Sequence, residues 1–377
     1  MTSHPLRVMM MGLRGFPGVQ GGVETHAEHL CPLLVKMGCE VTVLARAPYQ
    51  HQETGPEWNG VKFVSLWTPK AKGLEALLHS FFCVLYAAIK RPDILHIQAI
   101  GPAIVTPLAR LLGLRVVVTH HGPDYERQKW GRVGRLVLKT GEFCGMRFSN
   151  GRVVISKVIA DLVRDKYDVK TSLIPNGVVL PELPDSVNAL VEFGLVRRKY
   201  VLLVGRLVPE KRHLDLIIAF LRAGLHDWKL VIVGGSDHPD AYYREVMGRV
   251  AKNLNVVMTG FQTGLSLREL YAHAGLFVLP SSHEGLPIAM LEALSYGLPV
   301  LASDIPANLE VGLPHSNYFP LGNIEELSRK LRVMSISSSE NAGKASRVWV
   351  TQHYDWPSIA RKTIEVYKAS LCCSKPH

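Results

Sequence analysis

The sequence contains no Asp-x-Asp, no Cys-x-x-Cys and no apolar run long enough to cross a bilayer. Its six cysteines, Cys31, Cys39, Cys83, Cys144, Cys372 and Cys373, stand at no spacing that suits a metal, so a metal site is not expected and a reduced, cytosolic compartment follows most simply. The longest apolar run, Ala76 to Ile89, is interrupted by His79 and covers about fourteen residues where a span needs nearly twenty. It reads as a buried helix in preference to a membrane-facing one, although Lys70, Lys72, Lys90 and Arg91 flank it and it holds Phe81, Phe82 and Tyr86. The chain opens with one Arg before VMMMGL and lacks a small-residue cleavage site, which reads as a first strand rather than a signal peptide. No solenoid period and no low-complexity tract is visible. The glycines at 12, 15, 18, 21 and 22 are not spaced Gly-x-Gly-x-x-Gly, so the sequence gives a nicotinamide dinucleotide little support.

What is present is enough for two globular domains. The chain has 377 residues, 47% of them hydrophobic and 20% charged, which suits two full cores rather than disorder. The formal charge of +11 is unevenly placed. Residues 1–179 carry 22 Lys and Arg against 13 Asp and Glu, a net +9, whereas residues 180–377 carry 21 against 19, a net +2. An anionic partner for the first half is implied, with a membrane surface, a lipid diphosphate and nucleic acid as candidates. Nucleic acid is disfavoured, because the basic residues are interleaved with buried strands and form no basic and aromatic run on one helix.

One stretch organises the rest: SSHEGLPIAMLEALSYGLP, Ser281 to Pro299. A polar loop feeds a helix that should open at Pro287 and close at Gly297. Around Gly285, the amides of Leu286, Ile288 and Ala289 and the positive end of the helix dipole would make a site for a phosphate. Glu284 stands just ahead of it, and Glu292 follows about two helical turns later. A ligand spanning roughly a dozen ångström could touch all three, a length that suits a nucleotide sugar. Solvated glutamates are the commoner case, but Ile288, Met290, Leu291 and Leu294 place Glu292 among apolar neighbours, where a carboxylate needs hydrogen-bond partners.

Before that stretch the chain alternates strand and helix. Strands are expected at Arg7 to Gly12, Gly38 to Arg46, Val61 to Trp67, Asp93 to Ala99, Arg115 to Gly122 and Gly151 to Ser156, with helices at about 23–37, 74–90, 102–112 and 157–166 and another from about Phe143. The alternation argues a parallel, doubly wound sheet, in which ligands sit beyond the carboxyl ends of strands. His121 falls at such an end, beside Gly122, whereas His120 is the one to read as structural. Gly21 and Gly22, next to Glu24 and Thr25, would let backbone amides approach a ligand closely. A junction is expected near residues 177–185, where Pro181, Pro184 and Asp185 read as a linker. Beyond it, KYVLLVGRLVPEKR ends a buried strand in a loop where Arg206 and Lys211 could both reach an anion. KLVIVGG, NVVMTGF and LFVLPSS supply three more strands. Helices are expected from Ile324 to about Met334 and over DWPSIARKTIEVYKASL.

The string HEGLPIAMLEALSYGLPVLAS, with THHG, IPNGV and the GR…PEK segment, resembles the retaining glycosyltransferases of family four, which have the GT-B fold. The resemblance covers nearly the whole chain. It implies two Rossmann-like doubly wound domains: an acceptor-binding one at 1–178, with a C-terminal helix at about 356–377 packing back on it, and a nucleotide-sugar-binding one at 179–355. It implies that His121 and Glu284 are catalytic, with His121 contacting the transferred sugar and Glu284 orienting its hydroxyls. Arg206 and Lys211 would bind the donor diphosphate, Glu292 the ribose, and backbone near Gly260 and Phe261 the base. PDYERQKWGRVGRL, Pro123 to Leu136, resembles bacterial polysaccharide enzymes. The expected activity is retaining, metal-independent sugar transfer from a nucleotide diphosphate to a saccharide or a polyprenyl-diphosphate-linked acceptor, with no cofactor. The expected place is the cytoplasm, with peripheral contact to an anionic membrane through the first domain. Two other readings stand beside it: a GT-B epimerase or phosphorylase, and a catalytically silent nucleotide-sugar-binding subunit.

Overall fold

The computed structural model describes residues 4–49, 55–69, 74–127, 130–236, 239–336 and 340–372. Lys70, Lys72 and Cys373 lie outside them. The chain divides into two units, one formed by residues up to Asn176 together with those from Trp356, the other by Gly177–Asp355.

The first unit is built on eight strands: β1 (Leu6–Met11), β2 (Cys39–Arg46), β3 (Glu57–Trp58), β4 (Val61–Leu66), β5 (Ile94–Gln98), β6 (Val116–His120), β7 (Gly151–Val154) and β8 (Ser172–Leu173). Their order is β3-β4-β2-β1-β5-β6-β7-β8. All pairs are parallel except β3 with β4. The central strands are continuous apolar runs because helices cover both faces of a parallel sheet. The chain leaves β1 in one direction for β2 and returns on its other side as β5, so the crevice of a doubly wound sheet opens between the carboxyl ends of β1 and β5. Gly12 turns the chain there with φ +94°, and a side chain would meet the Gln98 carbonyl at 2.3 Å, so only glycine fits. The helix Trp356–Cys372 belongs to this unit and packs against the helix Gly22–Lys36 and on β6 and β7.

The second unit carries β9 (Tyr200–Val204), β10 (Lys229–Val233), β11 (Val256–Gly260), β12 (Leu276–Leu279), β13 (Val300–Ser303) and β14 (Tyr318–Phe319), in the order β11-β10-β9-β12-β13-β14 and all parallel. Its crevice opens between β9 and β12. Val201, Leu203, Ile217, Phe220, Ile232, Leu276, Val278 and Leu301 form its core, all nearly or fully buried.

Several local expectations are corrected. The expected helix over 102–112 is a 3-10 turn, Pro102–Val105, followed by a helix Thr106–Leu111. The helix placed from Phe143 onward spans Arg132–Phe148, its start hidden by alternating basic and apolar residues. Pro287 is the residue that caps the Ile288–Ser295 helix rather than its first helical residue. The C-terminal stop is as expected: Gly297 has φ +73°, its amide reaches the Leu294 carbonyl, and the Leu298 amide reaches that of Ala293, which closes the helix in a Schellman turn. The division after Asn176 falls at the edge of the junction expected near 177–185, and the Pro181–Asp185 stretch, read as a linker, makes hydrogen bonds within the second unit. Arg347 donates to the Pro181 carbonyl at 3.1 Å and Arg197 to that of Asp185 at 2.7 Å, which fastens it to the second unit. Leu74–Lys90 is buried on one face only. His79, Cys83, Val84 and Ala87 turn inward, whereas Phe81, Phe82, Leu85 and Ile89 are exposed.

Candidate functional site

In the second unit, the loop after β9 and the loop after β12 leave from the two strands that flank the crevice, β9 and β12 being paired through Leu202 and Phe277. The loops are stitched together by Ser282, whose amide donates to the Glu210 carbonyl at 2.8 Å and whose hydroxyl donates to it at 3.3 Å. This brings Lys211 Nζ to 2.6 Å from Glu284 Oε1. Both side chains are largely sheltered, so the pair interacts more strongly than one in open water. Arg206 lies on the same loop, half-buried. Gly285 is half-buried, Leu286 is buried, and Ile288 opens the helix, where the first amides have no acceptor within the helix. The arrangement concentrates cationic and amide donors at a strand end, with one carboxylate beside them. It can hold a polyanion and orient hydroxyl groups.

Glu292 sits along the same helix, half-buried. The expectation that a ligand's hydroxyls supply its partners is incomplete, because Tyr271 donates to Glu292 Oε2 at 2.8 Å. Tyr271 is buried, stacked on Tyr296 at 5.1 Å with an interplanar angle of 9°. Burial and the nearby Glu292 push its hydroxyl pKa well up, so it stays a donor. Nothing about Tyr271 in the sequence signals this role. Gly260 and Phe261 lie at the end of β11, the edge strand on the β9 side of the sheet. Gly260 turns with φ +72° and accepts from the Gly234 amide, and Phe261 is exposed.

In the first unit, Gly21 caps the helix Gly22–Lys36, and Gly22 is exposed at its start. Arg14 closes the glycine-rich loop by bonding Glu24 Oε1 at 3.1 Å and the Gln20 carbonyl. Sequence reasoning missed this clasp. His121 follows β6 and donates from Nε2 to Gln98 Oε1, at the end of β5, at 2.7 Å. His26 meets it edge-on at 5.1 Å, and Trp356 stacks on His29 at 5.4 Å. Burial, helped by the neighbouring His96 and His120, lowers the His121 pKa to about 3. Burial and His26 do the same to His96, and burial and His121 lower His26 well below its ordinary value. All three rings are therefore neutral at pH 7.

His120 is tied instead to Glu142. Its Nε2 stands 2.9 Å from Glu142 Oε1 while its Nδ1 accepts from the Gly122 amide. Tyr125 and Lys166 also bond that carboxylate, and Tyr167 donates to it at 2.7 Å. Burial alone would raise the Glu142 pKa, but the bonds from His120 and Tyr167 and the charge of Lys166 draw it down to about 2. The two adjacent histidines thus divide the work: His120 anchors the loop, and His121 faces the β1–β5 crevice. Among the described residues no group of three or more His, Cys, Asp or Glu is placed to hold a metal ion.

The likeness to known proteins gives the family. The family model described as Glycosyltransferase Family 4 matches residues 20–181, and that described as Glycosyl transferases group 1 matches residues 192–349. An uncharacterized glycosyltransferase of Methanocaldococcus jannaschii is 32% identical over 97% of this chain and 99% of its own. The chain belongs to glycosyltransferase family 4. A UDP-Gal:alpha-D-GlcNAc-diphosphoundecaprenol alpha-1,3-galactosyltransferase of Escherichia coli is 30% identical over 59% of this chain and 61% of its own. Among solved structures, sucrose-phosphate synthase of Thermosynechococcus elongatus superposes with a TM-score of 0.81 at 20% identity, covering 96% of this glycosyltransferase and 98% of that chain. Anabaena HepE in complex with UDP-glucose gives 0.79 at 17% identity, covering 96% and 99%. The fold of this glycosyltransferase is accordingly GT-B, an α/β architecture of two Rossmann-like parallel-sheet units.

Proposed function

We propose that this glycosyltransferase moves a hexose, with retention of anomeric configuration and without a metal, from a nucleotide diphosphate to a saccharide or polyprenyl-diphosphate-linked saccharide during assembly of a bacterial surface polysaccharide. The observation that carries the proposal is the meeting of Lys211 and Glu284 on the loops after β9 and β12. Cleaving the glycosidic bond develops an oxocarbenium-like sugar and a departing diphosphate. Lys211, Arg206 and the amides of Ile288 and Ala289 at the start of the helix stabilise the departing charge, and preorganised donors of this kind contribute roughly 3–4 kcal/mol each. Glu284, released from Lys211 when phosphate oxygens take its place, orients sugar hydroxyls. Glu292 holds the ribose, and backbone at Gly260 and Phe261 contacts the base. Gly21 and Gly22 open the first unit's crevice to close backbone approach, and His121 contacts the transferred sugar.

The acceptor class is supported by relatives. One is the galactosyltransferase above, named for a diphosphoundecaprenol-linked acceptor. Another is an amylovoran biosynthesis glycosyltransferase of Erwinia amylovora, 24% identical over 75% of this chain and 77% of its own. An anionic membrane is supported by the first unit's surface. Besides the exposed face of Leu74–Lys90, the helix Arg132–Phe148 exposes Val133, Leu136, Phe143 and Phe148 among Arg132, Arg135, Lys139 and Arg147, a mixture that suits an interface of acyl chains and anionic headgroups. No described helix is long and apolar enough to cross a membrane. The test is release of nucleoside diphosphate coupled to a lengthened acceptor, with the product's anomeric configuration read by NMR. An inverted product removes the retaining mechanism, and binding without turnover favours the silent subunit.

A further inference from the structure

We infer that Gln98 is a positioning residue for His121, fixing it as the neutral Nε2–H tautomer so that Nδ1 is offered to a substrate hydroxyl as a hydrogen-bond acceptor. The choice of hydroxyl as ligand rests on the transferase reading, whereas the tautomer does not. Gln98 is fully buried at the carboxyl end of β5, with Gly12 pressed against its carbonyl. Its amide orientation is set from behind. Gln98 Nε2 lies 3.5 Å from Met10 Sδ, which can only accept, and 3.3 Å from His96 Nε2. His96 in turn has Nε2 at 2.7 Å from the Thr119 hydroxyl and Nδ1 at 2.7 Å from the Tyr367 hydroxyl.

One assignment satisfies every contact. Thr119 and Gln98 donate to His96 Nε2, and His96 Nδ1–H donates to Tyr367. Gln98 Oε1 is then turned toward His121, whose Nε2 must carry the hydrogen at 2.7 Å. The tautomer of a histidine is decided by the partner of one nitrogen, and here that leaves the other, Nδ1, with no protein partner among the described residues. The groups facing His121 reinforce neutrality: His26 on the helix Gly22–Lys36, with His29 beyond it, His96 on β5, His120 beside it, and the Tyr367 hydroxyl behind His96. None of them offers a carboxylate that would make an imidazolium. A neutral ring with a free lone pair accepts from a hydroxyl and cannot serve as a cation for a phosphate, so the diphosphate is left to the second unit.

Two measurements test the inference. Nitrogen-15 spectra of histidine-labelled protein at pH 7 should show His121 protonated at Nε2 and bare at Nδ1. A ring protonated at Nδ1, or at both nitrogens, overturns the inference whatever the protein's activity. In transfer assays, Gln98→Leu should lower kcat/KM about tenfold, the scale of losing an orienting partner, with a pH profile as flat as that of the parent between pH 5.5 and 8. Gln98→Glu should place a carboxylate against Nε2 and raise the ring's pKa, so that activity falls with a new titration as pH drops through that range. Two variants that keep the parent's kcat/KM and profile would overturn the positioning role. If spectra show the Nε2–H tautomer and no transfer is found with any donor, the transferase reading fails, and with it the hydroxyl as ligand.

Discussion

Lys211 Nζ stands 2.6 Å from Glu284 Oε1, although 73 positions separate the two residues in sequence. Strand order produces the contact: β9 and β12 are neighbours, and each loop leaves a carboxyl end on the same side of the sheet. The ion pair holds the lysine and the carboxylate against each other on the loops after β9 and β12. Under the proposed function, a donor diphosphate would compete for the lysine and free Glu284 for the sugar, with the charges arranged before the ligand arrives.

Glu284→Gln should lower kcat about a hundredfold while leaving the folded structure intact, because the amide keeps the shape and one acceptor but loses the charge. Lys211→Met should lower kcat/KM by a similar factor through the leaving diphosphate. Steady-state transfer rates with circular dichroism as the folding check decide this. An unchanged rate in Glu284→Gln removes that residue from the site.

Tyr271→Phe removes the hydroxyl at 2.8 Å from Glu292 while keeping the ring stacked on Tyr296. Losing a hydrogen bond to a charged group at about 1.5 kcal/mol should raise the donor KM about tenfold and change kcat little. It should also reduce the preference for a ribonucleotide over its 2′-deoxy counterpart, measured by competition. Equal loss in kcat alone, or an undiminished preference, contradicts the role.

The first unit should be the more acid-sensitive. Burial holds His121 and His96 at about 3 and, together with Arg46, His79 at about 4, with His26 also well below its ordinary value. In the second unit His213 behaves this way, lowered to about 3 by burial and then by Lys211. The unfolded chain takes up these protons first, near pH 6.5, so stability falls as pH falls from there toward the folded values, by about 1.4 kcal/mol per group per pH unit. Glu142, held at about 2, adds a loss only below the ordinary carboxylate range. Hydrogen exchange between pH 7 and 5 should show protection lost first in first-unit peptides. Earlier loss in second-unit peptides contradicts this.

The exposed faces of Leu74–Lys90 and of Arg132–Phe148 should bind vesicles containing phosphatidylglycerol, weakly bind pure phosphatidylcholine, and release with rising salt. Because Ile89 and Leu136 are exposed, the pair Ile89→Ser and Leu136→Ser should weaken vesicle binding several-fold with Tm unchanged. Co-sedimentation that is indifferent to lipid charge would remove the membrane from the account.

The strands were readable because a parallel sheet covered on both faces needs near-continuous Val, Ile and Leu, as in Tyr200–Val204 and Lys229–Val233. Two-residue strands such as Glu57–Trp58 and Tyr318–Phe319 are too short to leave a pattern. The loop residues with charge, Arg206, Lys211 and Glu284, declared themselves by lying just after buried strands. Their partners did not. Tyr271 lies in an ordinary amphipathic helix and becomes relevant only because that helix packs its hydroxyl against Glu292. Gln98 looks like one polar residue in a buried strand, and Arg14 like one charge in a glycine-rich loop. Gln98 acquires its role from contacts made across strand order, and Arg14 from the fold of its own loop back onto Gln20 and Glu24, neither of which periodicity encodes.

The central claim is that the second unit holds a nucleoside diphosphate through Lys211 beside Glu284, and it is tested most directly by the thermal shift of the protein and of Lys211→Met with UDP, GDP and dTDP, each in magnesium and in EDTA. At a ligand concentration of about a hundred times Kd the stabilisation is about 2.7 kcal/mol, a rise of several degrees in Tm. The account predicts that rise with one nucleotide base, equal in magnesium and EDTA, and absent in Lys211→Met. No rise with any nucleotide in the folded parent protein, or a rise that Lys211→Met retains, would contradict it.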